Sequence, residues 1–203
     1  MQETVTKALQ ALEKNGMKAV YFDEPDSAVS YLMENIDKAD TVGIGGSMTV
    51  KTLGIPEKLL DRGNKVFFHW LESTPEGADE ARKNAASADV YLSSTNALTE
   101  DGKLINIDGT GNRVAAMIFG HKKVFIICGT NKITADTASG IDRIKANTYK
   151  NARRLKLDTP CAHTGICNDC RSPQRMCNVM SIIERRPSKT DIEVIIIGQE
   201  LGF

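Results

Sequence analysis

Runs of apolar residues constrain the fold of this chain more than any other feature of its sequence. Apart from one glutamate, the segments VFIIC at 124–128 and EVIII at 193–197 lack the alternating polar positions of a half-exposed strand. Nearly continuous apolar strands are typical of a mainly parallel sheet, because helices then cover both of its faces. The sequence therefore predicts an α/β protein whose mainly parallel sheet is sandwiched between helices.

Further strands and helices alternate along the chain, which is the order expected of parallel strands. The other predicted strands are KAVYF, TVGIGG, KVFFHW and VYLSS. Periodicity and end signals predict helices over the first 16 residues, from Ser27 to Asn35 after a cap at Asp26, from Ser47, from Pro56, over PEGADEARKNAASA, over 113–119 and over 135–155. One departure is NALTEDGKLINID, in which Asp101 and Gly102 indicate the tight turn of a β-hairpin.

The length of 203 residues suits one well-buried domain with an appended element. We expect residues 1–155 to form the α/β core and residues 191–203 to return to it as the final strand. Between them, residues 156–190 lose regular periodicity and concentrate prolines, polar residues and cysteines. We interpret this stretch as a cysteine-rich, metal-binding segment that a local ligand keeps ordered.

Charge and hydropathy exclude several classes of partner. The chain has 26 basic and 26 acidic residues and an isoelectric point near 6.8, so no global field attracts nucleic acid or an anionic membrane. We find no export signal and no apolar run of about 18 residues, so we expect no membrane span and a cytoplasmic location. A reducing cytoplasm disfavours disulfides, which favours metal binding or redox chemistry for clustered cysteines.

Three glycine-containing loops are predicted at the carboxyl ends of strands, where open α/β sheets bind small ligands. Their backbone N–H groups, hydroxyls and cations suit a compact organic anion. Their spacing fits neither a dinucleotide fingerprint nor a P-loop, and glycines after strands also serve simply as turn formers. The candidate substrate-binding residues are Gly45, Gly46, Ser47, Thr49, Asn96, Gly109, Thr110, Gly111, Asn112, Gly129 and Thr130.

Three residues of these loops are candidates for catalysis. Asp108 lies between a strand and a glycine loop, where it can transfer a proton or orient Arg113. Arg113 and Lys132 can hold the carboxylate of a substrate. The TEDG setting of Glu100 is typical of a solvated hairpin, and His69 has no convincing partner in the sequence, so we assign neither of them to catalysis.

Four cysteines near the end of the chain, Cys161, Cys167, Cys170 and Cys177, have the spacing C-x5-C-x2-C-x6-C. The C-x2-C pair lets two sulfurs hold one centre from a single turn, while flexible flanks bring the other two round it. Structural zinc sites more often contain two such pairs, so a [4Fe-4S] cluster is the leading interpretation and zinc is the alternative. A thiol redox pair and unliganded cysteines also stay open.

Four arginines lie close to these cysteines in the sequence: Arg153, Arg154, Arg171 and Arg175. Cations beside a thiolate-bound cluster would offset its negative charge, or meet an anionic substrate. A solvated basic face is the other interpretation. The fifth cysteine, Cys128, ends an apolar strand and is expected to be a buried thiol.

Two segments, SSTNALTEDGKLINIDGTGNRVAAMIFGHKKVFIICGTNKI and NARRLKLDTPCAHTGICNDCRSPQRMCN, resemble the lactate-utilisation (LUD) domain family, in its variant with a C-terminal four-cysteine motif. The resemblance spans essentially the whole chain. It implies the fold shared with ribose-5-phosphate isomerases and CoA-transferases, with a ligand site at the loops of residues 45–49 and 108–113. Family members take part in oxidising L-lactate within complexes that contain iron–sulfur proteins. The catalytic motifs of CoA-transferases and pentose isomerases have no match here, so neither reaction is assigned.

These observations lead to the hypothesis of a redox-associated protein that binds a small hydroxy or keto acid and carries an iron–sulfur cluster. The cluster would pass electrons, as in an oxidoreductase component, or act as a Lewis acid in an iron–sulfur-dependent lyase. The alternative hypothesis is a non-catalytic metabolite-binding or sensor subunit with a structural zinc site. The expected partners are a small anionic metabolite, other redox subunits and a second copy of the chain in a homodimer.

Overall fold

The computed structural model describes residues 2–203, and helices alternate with strands along most of the chain. In chain order the elements are α1 (Glu3–Lys14), β1 (Lys18–Phe22), α2 (Pro25–Glu34), β2 (Thr41–Ile44), α3 (Met48–Thr52), α4 (Ile55–Arg62), β3 (Lys65–Phe68), α5 (Pro75–Ala85), β4 (Val90–Ser93), β5 (Ala97–Thr99), β6 (Leu104–Asp108), α6 (Asn112–Ile118), β7 (Lys123–Gly129), β8 (Ile133–Thr134), α7 (Thr137–Arg154), α8 (Pro160–Thr164), β9 (Val179–Ile183) and β10 (Ile192–Ile197). A short 3-10 turn, Thr130–Lys132, joins β7 to β8.

Six of these strands form one sheet in the order β1-β10-β7-β4-β2-β3, and every neighbouring pair is parallel. β10 and β7 are interior strands, and their register runs from Ile192 opposite Val124 to Ile197 opposite Gly129. All six residues of β10 are buried. The predicted α/β architecture is confirmed, because the continuous apolar runs are interior strands of a parallel sheet.

Successive side chains of β7 point to opposite faces of this sheet, and helices cover each face. Val124 and Ile126 belong to a core cluster with α1, α6 and the end of α5. Phe125 and Ile127 belong to a second cluster with α2, α3 and α4. Cys128 is fully buried in the first cluster, as predicted. Burying each such apolar side chain contributes about 1.5–3 kcal/mol, so both helical layers stabilise the sheet.

A second, smaller sheet has the strand order β8-β5-β6-β9. β5 and β6 form the predicted hairpin, in which Gly102 has the left-handed backbone (φ 80°) that glycine adopts without strain. Helix α7 packs on this sheet where Ile144 clusters with Ala97 and Ile105. Within residues 2–203 no helix, not even the 18-residue α7, combines the length and apolar character needed to cross a membrane.

The predicted start of the second helix is wrong. α2 begins at Pro25 rather than at Ser27, so Asp26 lies in the first turn and does not cap the helix. Proline has a backbone φ that suits the first helical turn, and its missing N–H has no partner there in any case. The acidic side chain of Asp26 still lies at the positive end of the helix, where it is favourable.

Residues 156–190, expected to be irregular, contain the helix α8 and the strand β9. β9 pairs antiparallel with β6, which lies far earlier in the chain, and it forms the edge of the smaller sheet. Its residues Val179, Met180 and Ile182 are exposed. Buried and exposed residues do not alternate along β9, so its sequence lacks the alternating apolar pattern by which a strand is predicted.

Candidate ligand-binding site

A cavity of about 440 Å³ lies at the carboxyl edge of the six-stranded sheet. Residues that follow β2, β3, β4 and β7 line it, together with the loop between β6 and α6 and one side of α7. The carboxyl ends of parallel strands all meet at one edge, so side chains from these separate loops converge there. The volume is within the range of small-molecule sites in proteins.

Most of the residues predicted for substrate binding and catalysis line this cavity. They are Gly46, Ser47, Thr49, Asn96, Asp108, Gly109, Thr110, Asn112, Arg113 and Lys132. The others, which lie outside the lining, are Gly45, Gly111, Gly129 and Thr130. The three glycine loops therefore surround one space, although their contact with a ligand stays a prediction.

Two of the glycines outside the lining are needed for close packing. A Cβ on Gly45 would lie 2.7 Å from Tyr91 Oη and 3.0 Å from Arg113 Cγ, so the absence of a side chain lets the arginine pass close to the backbone. A Cβ on Gly129 would lie 2.3 Å from the carbonyl oxygen of Gln199. Gly45 thus positions a residue of the cavity lining, whereas Gly129 accommodates the chain that follows β10.

Lys132 places an amino group in the cavity although the residue is almost entirely buried, with 4% exposure. Nζ donates hydrogen bonds to Thr49 Oγ1 over 3.1 Å and to Ser94 Oγ over 2.8 Å. Burial lowers the pKa of Lys132 to about 7, and the positive charges of Arg143 and Arg113 act in the same direction. Among residues 2–203 no carboxylate pairs with this amino group, so only neutral hydroxyls compensate its charge.

Arg113 is a buried cation whose donors are occupied by the protein itself. Its terminal nitrogens donate four hydrogen bonds of 2.7–3.0 Å to the carbonyl oxygens of Ser94 and Ile107 and the side-chain oxygens of Asn96 and Asn106. Its Nε faces Asp108 Oδ2 at 3.4 Å. Because its four terminal N–H groups are hydrogen-bonded in this way, Arg113 joins the loop after β4 to β6. It would have to release one of these contacts to hold a ligand carboxylate.

Asp108, the candidate for proton transfer, is held by its own loop. Oδ1 accepts hydrogen bonds from the backbone N–H groups of Thr110, over 3.1 Å, and Gly111, over 2.8 Å. Oδ2 has Arg113 as its partner. In the part of the chain that the structure describes, Asp108 is the one Asp or Glu of the cavity lining. Its charge is already matched by Arg113, and Arg82, which also lines the cavity, pairs with Asp79 at 2.7 Å. Lys132, Arg143 and Arg154 have no Asp or Glu partner within residues 2–203.

Helix α7 adds polar groups to the site, and of these only Arg154 was predicted from the sequence, as a cation beside a cluster or for an anionic substrate. Arg143, Asn147, Asn151 and Arg154 follow one another at intervals of three or four residues, and all four line the cavity. Arg143 donates from Nε and Nη1 to backbone carbonyl oxygens over 2.7–3.3 Å, whereas its Nη2 has no acceptor within residues 2–203. The repeated Arg and Asn spacing beside the apolar stripe of the helix is the signal that could have indicated this face.

Arg154 lies over Trp70 at the same end of the cavity, with its guanidinium carbon 4.6 Å from the ring centroid. Its Nε donates a hydrogen bond to Asn151 Oδ1 over 2.8 Å. His69 also lines the cavity, and its pKa is lowered to about 4, chiefly by burial and then by the charges of Arg82 and Arg154. His69 is therefore neutral near pH 7, and the positive charge at this end comes from arginine.

The cysteine-rich segment forms part of the cavity wall. Met176 lines the cavity, one residue before Cys177. The backbone N–H of Asn178 donates a hydrogen bond to the carbonyl oxygen of Asp108 over 2.9 Å, and its side-chain Nδ2 donates to the carbonyl oxygen of Gly109 over 3.1 Å. The predicted metal-binding segment and the predicted anion loop are therefore in direct contact.

The four cysteines of the predicted metal site lie near one another in the structure. Cys161 is buried, Cys167, Cys170 and Cys177 are partly buried, and none of them forms a disulfide. Burial raises the pKa of the Cys177 thiol to about 11, and the other three thiols act in the same direction because they lie near it. Among residues 2–203 no three His, Cys, Asp or Glu side chains are grouped to hold a metal ion. Four free thiols fit a thiolate-bound metal in donor chemistry, and the metal site stays a prediction.

Arg175 organises the second half of this segment. Nε donates to the carbonyl oxygen of Cys177 over 3.0 Å, and Nη1 donates to that of Cys170 over 2.5 Å. Nη2 pairs with the exposed carboxylate of Asp169 at 2.7 Å. The positive charge of Arg175 favours the thiolate form of Cys177. Arg171, in contrast, is exposed, as a solvated basic residue would be.

Comparisons with known proteins place this arrangement in a family. The family model described as the LUD domain matches residues 5–197. No curated protein matches the chain. Among solved structures, the crystal structure of a DUF162 family protein from Deinococcus radiodurans has a TM-score of 0.56 to this chain at 12% sequence identity, covering 97% of each chain. At that identity the likeness concerns the fold alone.

Proposed function

Because the chain belongs to the LUD domain family, we propose that it binds a small hydroxy or keto organic acid and acts in its redox metabolism, as in lactate utilisation. The observation that carries this proposal is the charge of the cavity lining. Lys132, Arg143 and Arg154 have no Asp or Glu partner within residues 2–203, and the carboxylate of Asp108 already faces Arg113. Lys132 is buried, Arg143 is partly buried and Arg154 is exposed. A buried cation without an acidic counter-charge, with two further cations in the same lining, favours an anionic ligand, which restores the charge balance.

The groups of the cavity suggest how such an acid is oriented. Arg143 Nη2 and the terminal nitrogens of Arg154 are donors without acceptors in the described chain, and a guanidinium matches the two oxygens of a carboxylate. Lys132 Nζ, beside the hydroxyls of Thr49 and Ser94, suits the oxygen on the adjacent carbon of a hydroxy or keto acid. We assign the carboxylate to the arginines and that oxygen to Lys132.

Asp108 and Arg113 then have supporting roles in the same site. Arg113 positions Asp108 and Asn96 at the cavity wall, because its donors are already engaged with them. Asp108 is the candidate to accept or return a proton through Oδ2, the oxygen that is not bonded to the glycine loop. Asp108 keeps the proton-transfer role predicted from the sequence, whereas Arg113, predicted to hold the substrate carboxylate, is here proposed to position Asp108 and Asn96.

We also propose an iron–sulfur cluster, with zinc as the alternative metal, on Cys161, Cys167, Cys170 and Cys177. When bound, such a cluster supplies one-electron transfer, or Lewis acidity if one iron keeps an open position. Two features of the chain support this proposal. Arg175 brings positive charge to the thiols, and Asn178 attaches the segment to the wall of the anion cavity.

The ligand is tested by calorimetric titration of the full chain with L-lactate and pyruvate, and with their amides as controls. The amides have nearly the same shape but no carboxylate, so we expect the acids to bind and the amides not to bind. Equal binding of acids and amides would contradict the assignment of Arg143 and Arg154. Absence of binding by both acids would overturn the proposed ligand class.

The metal is tested by anaerobic purification followed by analysis of iron, acid-labile sulfide and zinc, together with a visible spectrum. Iron with sulfide and a broad thiolate-to-iron absorption would support the redox proposal. One zinc per chain without colour would support a metabolite-binding or sensor subunit instead. A chain that binds neither metal, even after anaerobic reconstitution, would leave the cysteines without the proposed role.

A further inference from the structure

The amino group of Lys132 has an unusual environment for a lysine. It lies inside a cavity that opens to small molecules, yet the residue is 4% exposed. Its two protein partners are hydroxyl oxygens, Ser94 Oγ at 2.8 Å and Thr49 Oγ1 at 3.1 Å. Nζ carries three N–H groups as an ammonium, or two N–H groups and a lone pair as an amine. Two of these three positions face the hydroxyls, so one remains for a ligand. The geometry aims a reactive nitrogen at the space where the anion is proposed to bind.

The charged groups around Lys132 favour the neutral amine. Arg143 of α7 and Arg113 of α6 repel a positive charge at Nζ, while Asp108 of β6 has Arg113 as its counter-ion. Cys128 of β7 is the remaining titratable neighbour, and burial raises the pKa of its thiol to about 11, so near pH 7 it is uncharged. With the pKa of Lys132 lowered to about 7, the free amine is available near neutral pH.

We infer that Lys132 is a nucleophile, whose Nζ forms an imine with the carbonyl carbon of a 2-oxo acid held by Arg143 and Arg154. This inference rests on the proposed function, because it requires an acid in the same cavity. It deepens that proposal by selecting keto acids over hydroxy acids as the substrate class. A 2-hydroxy acid has no carbonyl carbon and cannot form this bond.

The step balances without an oxidant or a further reactant. The lone pair of Nζ adds to the carbonyl carbon, and a proton from nitrogen moves to the carbonyl oxygen to give a carbinolamine. That oxygen takes a second proton and leaves as water, while the nitrogen forms the double bond to carbon. The hydroxyls of Ser94 and Thr49 lie beside the nitrogen and can relay these protons. The positive imine then withdraws electrons from the bonds of the adjacent carbons.

The inference is tested by incubating the full chain with pyruvate and sodium cyanoborohydride, which reduces an imine to a stable secondary amine. We expect one reduced pyruvate adduct per chain, located on Lys132 by peptide mapping, and no adduct with L-lactate. The yield should rise about tenfold between pH 6 and pH 8, since the neutral amine is the reacting form. Lys132→Arg should abolish the adduct while keeping a cation, and Lys83→Arg, at an exposed position on α5, should leave it unchanged.

The outcomes separate this inference from the proposed function. Pyruvate binding by calorimetry without an adduct on Lys132 would overturn the nucleophile and leave the anion site intact. Labelling spread over surface lysines, with the same yield in Lys132→Arg, would also overturn it. If neither pyruvate nor lactate binds, the proposed ligand class fails together with the inference. Peptide mapping of the unchanged chain gives the answer even if the Lys132 variant does not fold.

Discussion

The backbone N–H of Asn178 donates a hydrogen bond to the carbonyl oxygen of Asp108 over 2.9 Å. This contact connects the residue after the last cysteine to the residue that orders the glycine loop. The side chain of Asn178 adds a second bond to the carbonyl oxygen of Gly109. The cysteine segment and the anion cavity therefore share a wall, and changes in one are expected to reach the other.

Replacing the side chain of Asn178 tests this connection. In Asn178→Ala the backbone bond to Asp108 stays, but the side-chain bonds to the carbonyl oxygens of Gly109 and Arg175 are lost. Each such bond contributes about 1 kcal/mol to the stability of the contact between the two segments. We expect acid affinity, measured by calorimetry, to fall about threefold to tenfold. Asn84→Ala, at an exposed position on α5, is the control. Unchanged affinity in Asn178→Ala would show that the shared wall does not influence the cavity.

Replacing Arg143 or Arg154 tests the proposed carboxylate contacts. Arg143→Gln and Arg154→Gln remove Nη2 of Arg143 and the terminal nitrogens of Arg154, donors that have no acceptor within residues 2–203, and a charged hydrogen bond contributes about 1.5–3 kcal/mol. Arg143→Gln also removes hydrogen bonds to backbone carbonyl oxygens, so its unfolding free energy is measured beside its affinity. We expect pyruvate affinity to fall about tenfold or more in each variant. Arg185→Gln removes the same charge from an exposed position in the same chain and should bind normally. An equal loss in all three variants would indicate only a long-range charge effect.

We expect Lys132 to make the free energy of unfolding increase as the pH rises. Its pKa is about 7 in the folded protein and about 10.5 when exposed, so between these values the unfolded chain binds more protons. The free energy of unfolding therefore rises with pH over this interval, whereas below about pH 7 the full cost of the buried ammonium is present.

Lys132→Met removes that buried charge at similar volume. Its gain in unfolding free energy should be on the order of 4 kcal/mol near pH 6 and should shrink towards pH 10, as measured by urea denaturation. The matched control is Lys83→Met at an exposed site, which should shift stability little at either pH. A Lys132→Met gain that does not change with pH would contradict a lowered pKa.

Arg113 is expected to contribute mainly to stability. Arg113→Met leaves the buried carboxylate of Asp108 without its counter-ion and removes one donor each from the side-chain oxygens of Asn96 and Asn106, which keep backbone N–H donors. The free energy of unfolding should fall by about 3–5 kcal/mol, because the charge of Asp108 is then buried without a partner. Urea unfolding monitored by circular dichroism measures this loss. A fully stable variant that only binds acid less tightly would show instead that Arg113 contacts the ligand directly.

Removing single thiols tests the metal site. In Cys177→Ser we expect the bound metal to be lost or reduced to a fraction of one equivalent, because a hydroxyl is a poor ligand for iron or zinc in place of a thiolate. Cys128→Ala is the control, since Cys128 is buried in the core and lies outside the segment. Metal content after anaerobic reconstitution is the readout. Retention of a full equivalent by Cys177→Ser would remove this cysteine from the proposed ligands.

The sequence by itself determined the α/β class and the place of the glycine loops. The apolar runs of β7 and β10 can only be buried on both faces, and the loops after parallel strands must then meet at one edge. The family relationship also followed from sequence motifs and agrees with the match over residues 5–197. These conclusions depend on apolar runs, glycine loops and motifs of consecutive residues, which can be identified in one amino-acid sequence.

Only the tertiary structure decided how the charged groups of the cavity are used. Arg113 and Lys132 are both cations of the same site, but Arg113 donates four hydrogen bonds to the loop after β4 and to β6, while Lys132 has only two hydroxyls. Arg143 faces the cavity because α7 packs on the smaller sheet, and β9 forms only where β6 provides its partner. Such properties depend on which residues distant in the sequence become neighbours in the fold, and local periodicity does not predict those contacts.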